Sequence, residues 1–212
     1  MKPEAVVEKR KDKIPYEYYK KEFSKQSIAS IEENTGISFD KEKNVFNIKL
    51  LTDYYEVAYP DGEVTGPTPN TKYALKTLLL RYLIHAQGTK PSGRMIHYRD
   101  VPDGNIYYSN FYGRCLLRLA KTFKKDPDLL ASALESIGGI SIDKADISYE
   151  VPFINNVNLY VLYWRGDDEF PPATQILFSD NVQYYFTAED LAFVGDTLND
   201  YVLQFLLSKT KV

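Results

Sequence analysis

An α+β domain built mainly on antiparallel strands is predicted by three features of this 212-residue chain. Strand-like segments fall in two blocks, at about residues 45–65 and 146–180. Three helical stretches separate the blocks, so strands and helices do not alternate as a repeated βαβ unit requires. Further helices open and close the chain. With 44% hydrophobic and 26% charged residues, the composition is that of an ordinary globular protein. The charge-rich start is expected to be a flexible arm over 1–13, leaving 14–212 as a single compact domain.

Pro15 suits the first position of a helix, where a missing N–H costs nothing. Tyr19, Phe23, Ile28 and Ile31 would share one side of that helix, and Gly36 would stop it. The period then changes, and Val45, Ile48 and Leu50, followed by Tyr55, Val57 and Tyr59, read as strands with a turn at Pro60-Asp61-Gly62. Residues 64–70 form a connection. Asn70 or Thr71 is placed to cap a helix reaching Gln87, whose apolar positions follow i, i+3, i+4 spacing from Ala74 to Leu83. A short strand at 95–98 comes next, then a turn at Pro102-Asp103-Gly104. Helical spacing resumes over 107–123, and Asp126-Pro127 reads as an N-cap and first position of a helix ending at Gly138-Gly139. Strands at 146–152, 158–164 and 175–179 lead to Thr187-Ala188-Glu189-Asp190, a capping box opening a final helix to about Ser208.

Several function classes are disfavoured. The net charge of −3 gives no surplus for nucleic acid or anionic lipid. One cysteine, Cys115, excludes an iron–sulfur cluster or cysteine-rich zinc site made by this chain alone. There is no G-x-S-x-G, no P-loop and no G-x-G-x-x-G pattern. His85 and His97 lack metal-ligand spacing. The N-terminus has no apolar signal core and no segment approaches membrane-spanning length, so a cytoplasmic location and no membrane partner are expected.

Two segments stand out. Trp164-Arg165-Gly166 leads into three consecutive carboxylates, Asp167, Asp168 and Glu169, before Phe-Pro-Pro. Carboxylates this close raise one another's pKa. They suit a hard cation or acid–base work, or else a solvated turn whose aspartates cap amides or pair with Arg165. The stretch 94–118 holds Arg94, Arg99, Arg114 and Arg118 among Tyr98, Tyr107, Tyr108, Phe111 and Tyr112. Forked arginines beside tyrosine faces suit an anionic ligand and, less well, single-stranded nucleic acid. Alternatively the rings are core and the arginines pair with the acidic loop. The candidate ligand-binding set is therefore Arg94, Arg99, Tyr107, Arg114, Trp164, Asp167, Asp168 and Glu169. No metal or other cofactor is expected; a metal, if bound, would use Asp167, Asp168 and Glu169.

In order, YPDGEVTGP (59–67), RYLIHAQGTKPSGRMIHYRDVPDGNIYYSNF (81–111) and WRGDDEFPPATQILFSDNVQYYFTAED (164–190) resemble an uncharacterised bacterial and archaeal family, domain of unknown function 3786. The resemblance covers about 45–207. It carries over no catalytic residues. It implies relatives that follow a four-cysteine iron–sulfur domain of the corrinoid type, which this chain lacks. An iron–sulfur or corrinoid protein would then be the partner, in anaerobic one-carbon metabolism.

Three readings remain. The first is a non-catalytic binding or accessory module, with its site between the acidic loop and the arginine–tyrosine stretch. The second is a metal-dependent enzyme using Asp167, Asp168 and Glu169, assisted by His97 or Tyr107. The third is a structural subunit with a tyrosine-rich interface.

Overall fold

Ser27 is where the first predicted helix divides. In a computed structural model of the chain, helix α1 (Pro3–Phe23) ends and helix α2 (Ile28–Thr35) begins with the Ser27 hydroxyl accepting from the Ser30 N–H. That is an N-cap, which serves one of the orphan donors of a new helix. Gly36, at φ 69°, ends α2 in the left-handed conformation, as its position predicts. Pro15 lies inside α1 rather than at its start. The helix therefore forgoes one backbone hydrogen bond there and gains nothing at its first turn.

The structure describes residues 3–67 and 71–209, with side chains from Lys13 onward. Residues 1 and 2 of the expected arm, and Asn70 as a proposed cap, lie outside the described residues. Where the sequence reads as one domain over 14–212, the described residues gather into two units: 3–67, 71–89 and 184–186 in one, and 90–183 with 187–209 in the other.

The first unit carries strands β1 (Phe39–Asp40), β2 (Val45–Leu50), β3 (Asp53–Ala58) and β4 (Val64–Thr65). Each pairs antiparallel with the next, and Val45 faces Ala58 at one end of the β2–β3 hairpin. Phe23, Phe39, Phe46 and Tyr59 cluster edge-to-face or tilted, with ring centroids 5.0–6.5 Å apart. Helix α3 (Tyr73–His85) packs on α1 and α2. It starts after Lys72, whose side chain has no acceptor to cap it, and the Thr71 hydroxyl donates instead to the Pro67 carbonyl. It stops at His85, two residues short of the predicted end.

The segment 59–67 is accounted for by packing in this unit. The buried Tyr16 hydroxyl donates to the Gly62 carbonyl (3.1 Å) and accepts from the Val64 N–H (2.9 Å). Glu63 pairs with Lys20 of α1 and Lys76 of α3 at 3.0 and 2.9 Å. Burial pushes the Glu63 carboxyl up, but the two ammonium groups outweigh it and hold it below its ordinary value.

The second unit is a sheet of β6 (Ile140–Ser141), β7 (Ile147–Ile154), β8 (Val157–Trp164), β9 (Ala173–Ser179) and β5 (Met95–Ile96), paired antiparallel in that order. β5 is shorter than predicted, since Tyr98 enters a 3-10 turn with Arg99 and Asp100. Tyr98 is buried, stacked on Phe111 at 4.1 Å, and its hydroxyl reaches the Ala188 carbonyl. Helices α4 (Gly104–Phe111), α5 (Arg118–Thr122), α6 (Asp128–Ser136) and α7 (Ala188–Lys209) complete the unit. Pro127, not Asp126, occupies the α6 cap position, without a side-chain hydrogen bond. The α7 capping box forms as predicted: the Thr187 N–H donates to Asp190 at 3.0 Å and the Asp190 N–H to the Thr187 hydroxyl at 3.3 Å.

The helix predicted over 107–123 is not one α-helix. Between α4 and α5, residues Tyr112–Leu117 form a π-helical turn. An α+β class with antiparallel strands stands as predicted.

Candidate functional site

The acidic loop is organised by Asp167. Its carboxylate accepts the N–H groups of Glu169 (2.9 Å) and Phe170 (2.7 Å), and its own N–H donates to the Phe170 carbonyl. Those backbone donors, Phe170's first, hold Asp167 below the usual carboxylate value. Gly166 is required by close approach, because a Cβ there would meet the Pro172 nitrogen at 2.6 Å. The Arg165 guanidinium is spent on Asp128 at 2.5 Å, and its backbone N–H on Asp146. Asp168 and Glu169 are exposed, with no side-chain hydrogen bond or ion pair among the described residues. One carboxylate of the three therefore staples the loop and two are left uncommitted.

The loop lines a hollow of about 400 Å³, together with Lys124 and Pro127. A second hollow, of about 320 Å³, adjoins it across Lys124, Pro171 and Pro172. Its other walls are Tyr112, Leu116, Leu117, Ala120, Lys121, Ala173 and Thr174. Much of this second hollow is surface of the π-helical turn.

A π turn is less favourable than regular α-helix and is found mostly as single turns, often at functional sites. Here buried side chains fix it from two sides. The Thr174 hydroxyl of β9 donates to the Leu116 carbonyl at 2.7 Å. The Asn199 amide of α7 donates to the carbonyls of Arg114 (3.3 Å) and Cys115 (3.0 Å). Three consecutive carbonyls of the wide turn thus find side-chain donors. Cys115 itself is buried, and burial pushes its thiol up to about 12, which disfavours the thiolate that nucleophilic attack requires.

The predicted arginines go elsewhere. Arg94 is ion-paired with Asp180 at 3.1 Å, where the Ser92 N–H and hydroxyl also converge (3.0 and 2.6 Å). Arg114 pairs with Asp196 and hydrogen-bonds Asn110, while Arg118 reaches Asp200 at 3.1 Å. Arg99 lies over the Tyr108 ring at 3.7 Å. Trp164 packs with Met95, Ile142 and Ala145 against the cluster of Tyr160, Leu162 and Leu177, and lines neither hollow. Tyr107 is exposed on α4. The arginine partners are Asp180, Asp196 and Asp200 rather than the 167–169 loop. His97 caps the 3-10 turn with Asp100.

The structure thus brings the acidic loop against the C-terminal end of the arginine–tyrosine stretch, through Tyr112, Leu116 and Leu117. Lys121, Lys124, Thr174 and Asn199 are additions. A hint for the last was available in the sequence: Asn199 falls among apolar positions of the closing helix. Among the described residues, no group of three His, Cys, Asp or Glu side chains is gathered as a metal site would need. No helix among them is long and apolar enough to cross a membrane.

Fold and site together define an α+β protein whose concave surface sits on a π-helical turn. The chain belongs to the family described as Domain of unknown function (DUF3786), whose family model matches residues 27–200. Neither the curated proteins nor the solved structures contain a match to it.

Proposed function

We propose that this chain is a non-catalytic binding module, and that it binds through the two adjoining hollows of its second unit. The observation that supports this reading best is the π-helical turn at Tyr112–Leu117, held by buried Thr174 and Asn199 at the wall of an apolar hollow. An unfavourable backbone geometry with dedicated buried donors on its carbonyls is a built feature. The titratable groups argue in the same direction. Asp167 and Arg165 are engaged by other groups of the chain, Cys115 is buried, and the free carboxylates of Asp168 and Glu169 face solvent without a base–nucleophile partner. An accessory role carries with it the partner class that the family resemblance implies, a corrinoid or iron–sulfur protein, and a cytoplasmic location.

A thermal-shift screen of the full chain against nucleotides, folates, cobalamins and divalent metals tests the reading, with Tyr112→Ala and Lys124→Glu as site variants. A ligand at 100 times its Kd stabilises by about 2.7 kcal/mol, or roughly 5–10 °C for a chain of this size. The expected result is that any probe which shifts Tm does so through this surface, its shift disappearing in the site variants. A shift that survives both variants, or turnover of any probe, overturns the proposal.

A further inference from the structure

We propose that the paired hollows hold an extended segment of a partner protein, with an apolar side chain in the smaller hollow, acidic residues toward Tyr112 and Lys121 and a basic residue toward Asp168 and Glu169. This rests on the binding reading above and adds the chemistry of what is bound.

Shape supports a polypeptide. The smaller hollow, about 320 Å³, is lined by Leu116, Leu117 and Ala120 and closed by Pro171 and Pro172, a lining for apolar side chains. Its surroundings are open, however: Tyr112 is 47% exposed and Phe170 67% exposed. A small-molecule site encloses most of its ligand, whereas a compound resting in either hollow would stay largely in solvent. An extended chain, advancing about 3.3 Å per residue, crosses the shared proline ridge and engages both.

Charge supports the placement of its residues. Lys121 and Lys124 on the smaller hollow have no ion-pair partner among the described residues. Arg99 adds a third such cation. It lies flat on Tyr108, 3.7 Å from the ring centre, and the Tyr108 ring lies 6.1 Å from that of Tyr112. Beyond the ridge, the uncommitted groups of the larger hollow are Asp168 and Glu169, with Lys124 at the boundary. Free cations therefore gather on the smaller hollow and its margin and free carboxylates on the larger, with Lys124 shared between them. Such complementarity sets the register of a partner and penalises the reversed arrangement.

The test is selection of a displayed library of random peptides, about ten residues long to span both hollows, on the full chain. One selected peptide and two forms of it, one with both flanks acidic and one with both flanks basic, are then measured by fluorescence polarisation. Enriched peptides should carry acidic residues on one side of an apolar residue and a basic residue on the other, and each form with like-charged flanks should bind about ten-fold more weakly. Lys121→Glu with Lys124→Glu, and separately Asp168→Lys, should each cost about ten-fold. These side chains are exposed, and unchanged circular dichroism verifies the fold. Enrichment without opposite charges on the two flanks, or equal affinity of the forms with like-charged flanks, overturns the proposal. No enrichment, together with a small molecule whose thermal shift is lost in Tyr112→Ala, overturns it while the binding reading stands. No enrichment and no shift from any probe overturns both.

Discussion

The Thr174 hydroxyl and the Leu116 carbonyl meet at 2.7 Å across 58 positions of sequence, fastening a π-helical turn to the strand beside it. Thr174→Val keeps the shape of the side chain and removes the donor, so the carbonyl loses its side-chain partner. That costs about 0.5–1.5 kcal/mol, or roughly 1–6 °C in Tm for a chain of this length. Hydrogen exchange should quicken over residues 112–117 more than elsewhere in the second unit. Equal loss of protection across the unit would mean that the contact is one of many and not a local fastener.

In the first unit, Tyr16 plays a comparable role for the 59–67 segment. Its hydroxyl is both donor to Gly62 and acceptor from Val64, and burial raises its pKa well above the ordinary tyrosine value. Tyr16→Phe strands two backbone groups at once. The expected cost is about 2–3 kcal/mol by chemical denaturation, with an unchanged m-value if the native compactness is kept. A variant as stable as the parent would show that water replaces the hydroxyl and that Tyr16 serves by its ring alone.

What the chain reveals before folding follows the range of each interaction. Gly36 and the Thr187–Asp190 capping box involve residues within a single turn, and both are where the sequence places them. The apolar pattern of residues 45–50 and 157–164 locates strands for the same reason. Pro15 misleads because a first-position preference says nothing of a helix that extends further toward the N-terminus. The π-helical turn is invisible because its sequence keeps an α-compatible apolar spacing through Phe111, Cys115 and Leu119. The partners that hold it, Thr174 and Asn199, come from β9 and α7. The arginines fail as a cluster for a related reason: Arg114 and Arg118 meet Asp196 and Asp200 from 82 positions away. Opposite charges nearer in sequence, at 167–169, were the more visible partners and the wrong ones.

The Asp180 clasp makes a pH-dependent contribution. Ser92, through its hydroxyl and its N–H, and then Arg94 hold the Asp180 carboxyl below its ordinary value. The unfolded chain therefore binds this proton more readily than the folded one. The stability it lends is complete above the unfolded value of about 3.9 and is lost as pH falls through the lower folded value. Asp180→Asn should lower Tm at neutral pH, with the gap to the parent narrowing as the pH is taken below about 4. Because Ser92 is the main cause and Arg94 is 81% exposed, the neutral-pH gap should persist in about 0.5 M salt, where surface ion pairs are screened. A gap that closes with salt would assign the effect to Arg94 instead.

Gly195 on α7 lies at a close approach between that helix and the π-helical turn. A Cβ at this position would lie 2.6 Å from the Cys115 sulfur, 3.0 Å from its Cβ and 3.1 Å from the Phe111 ring. Cys115 and Phe111 are both buried, so neither can swing into solvent. Gly195→Ala gains helix propensity but forces this contact open, and overpacking of such a site costs about 1–3 kcal/mol. Cys115→Ala removes the nearest atom and should recover part of the loss, so the double variant is more stable than the sum of the singles by about 0.5–2 kcal/mol. Thiol labelling gives a second readout. In the parent the raised, buried thiol should resist a disulfide reagent at pH 8 until denaturant is added, and in Gly195→Ala it should react faster as the helix is pushed away. Additive losses with unchanged labelling would show that α7 and the turn adjust without strain, and that glycine is tolerated at 195 rather than required.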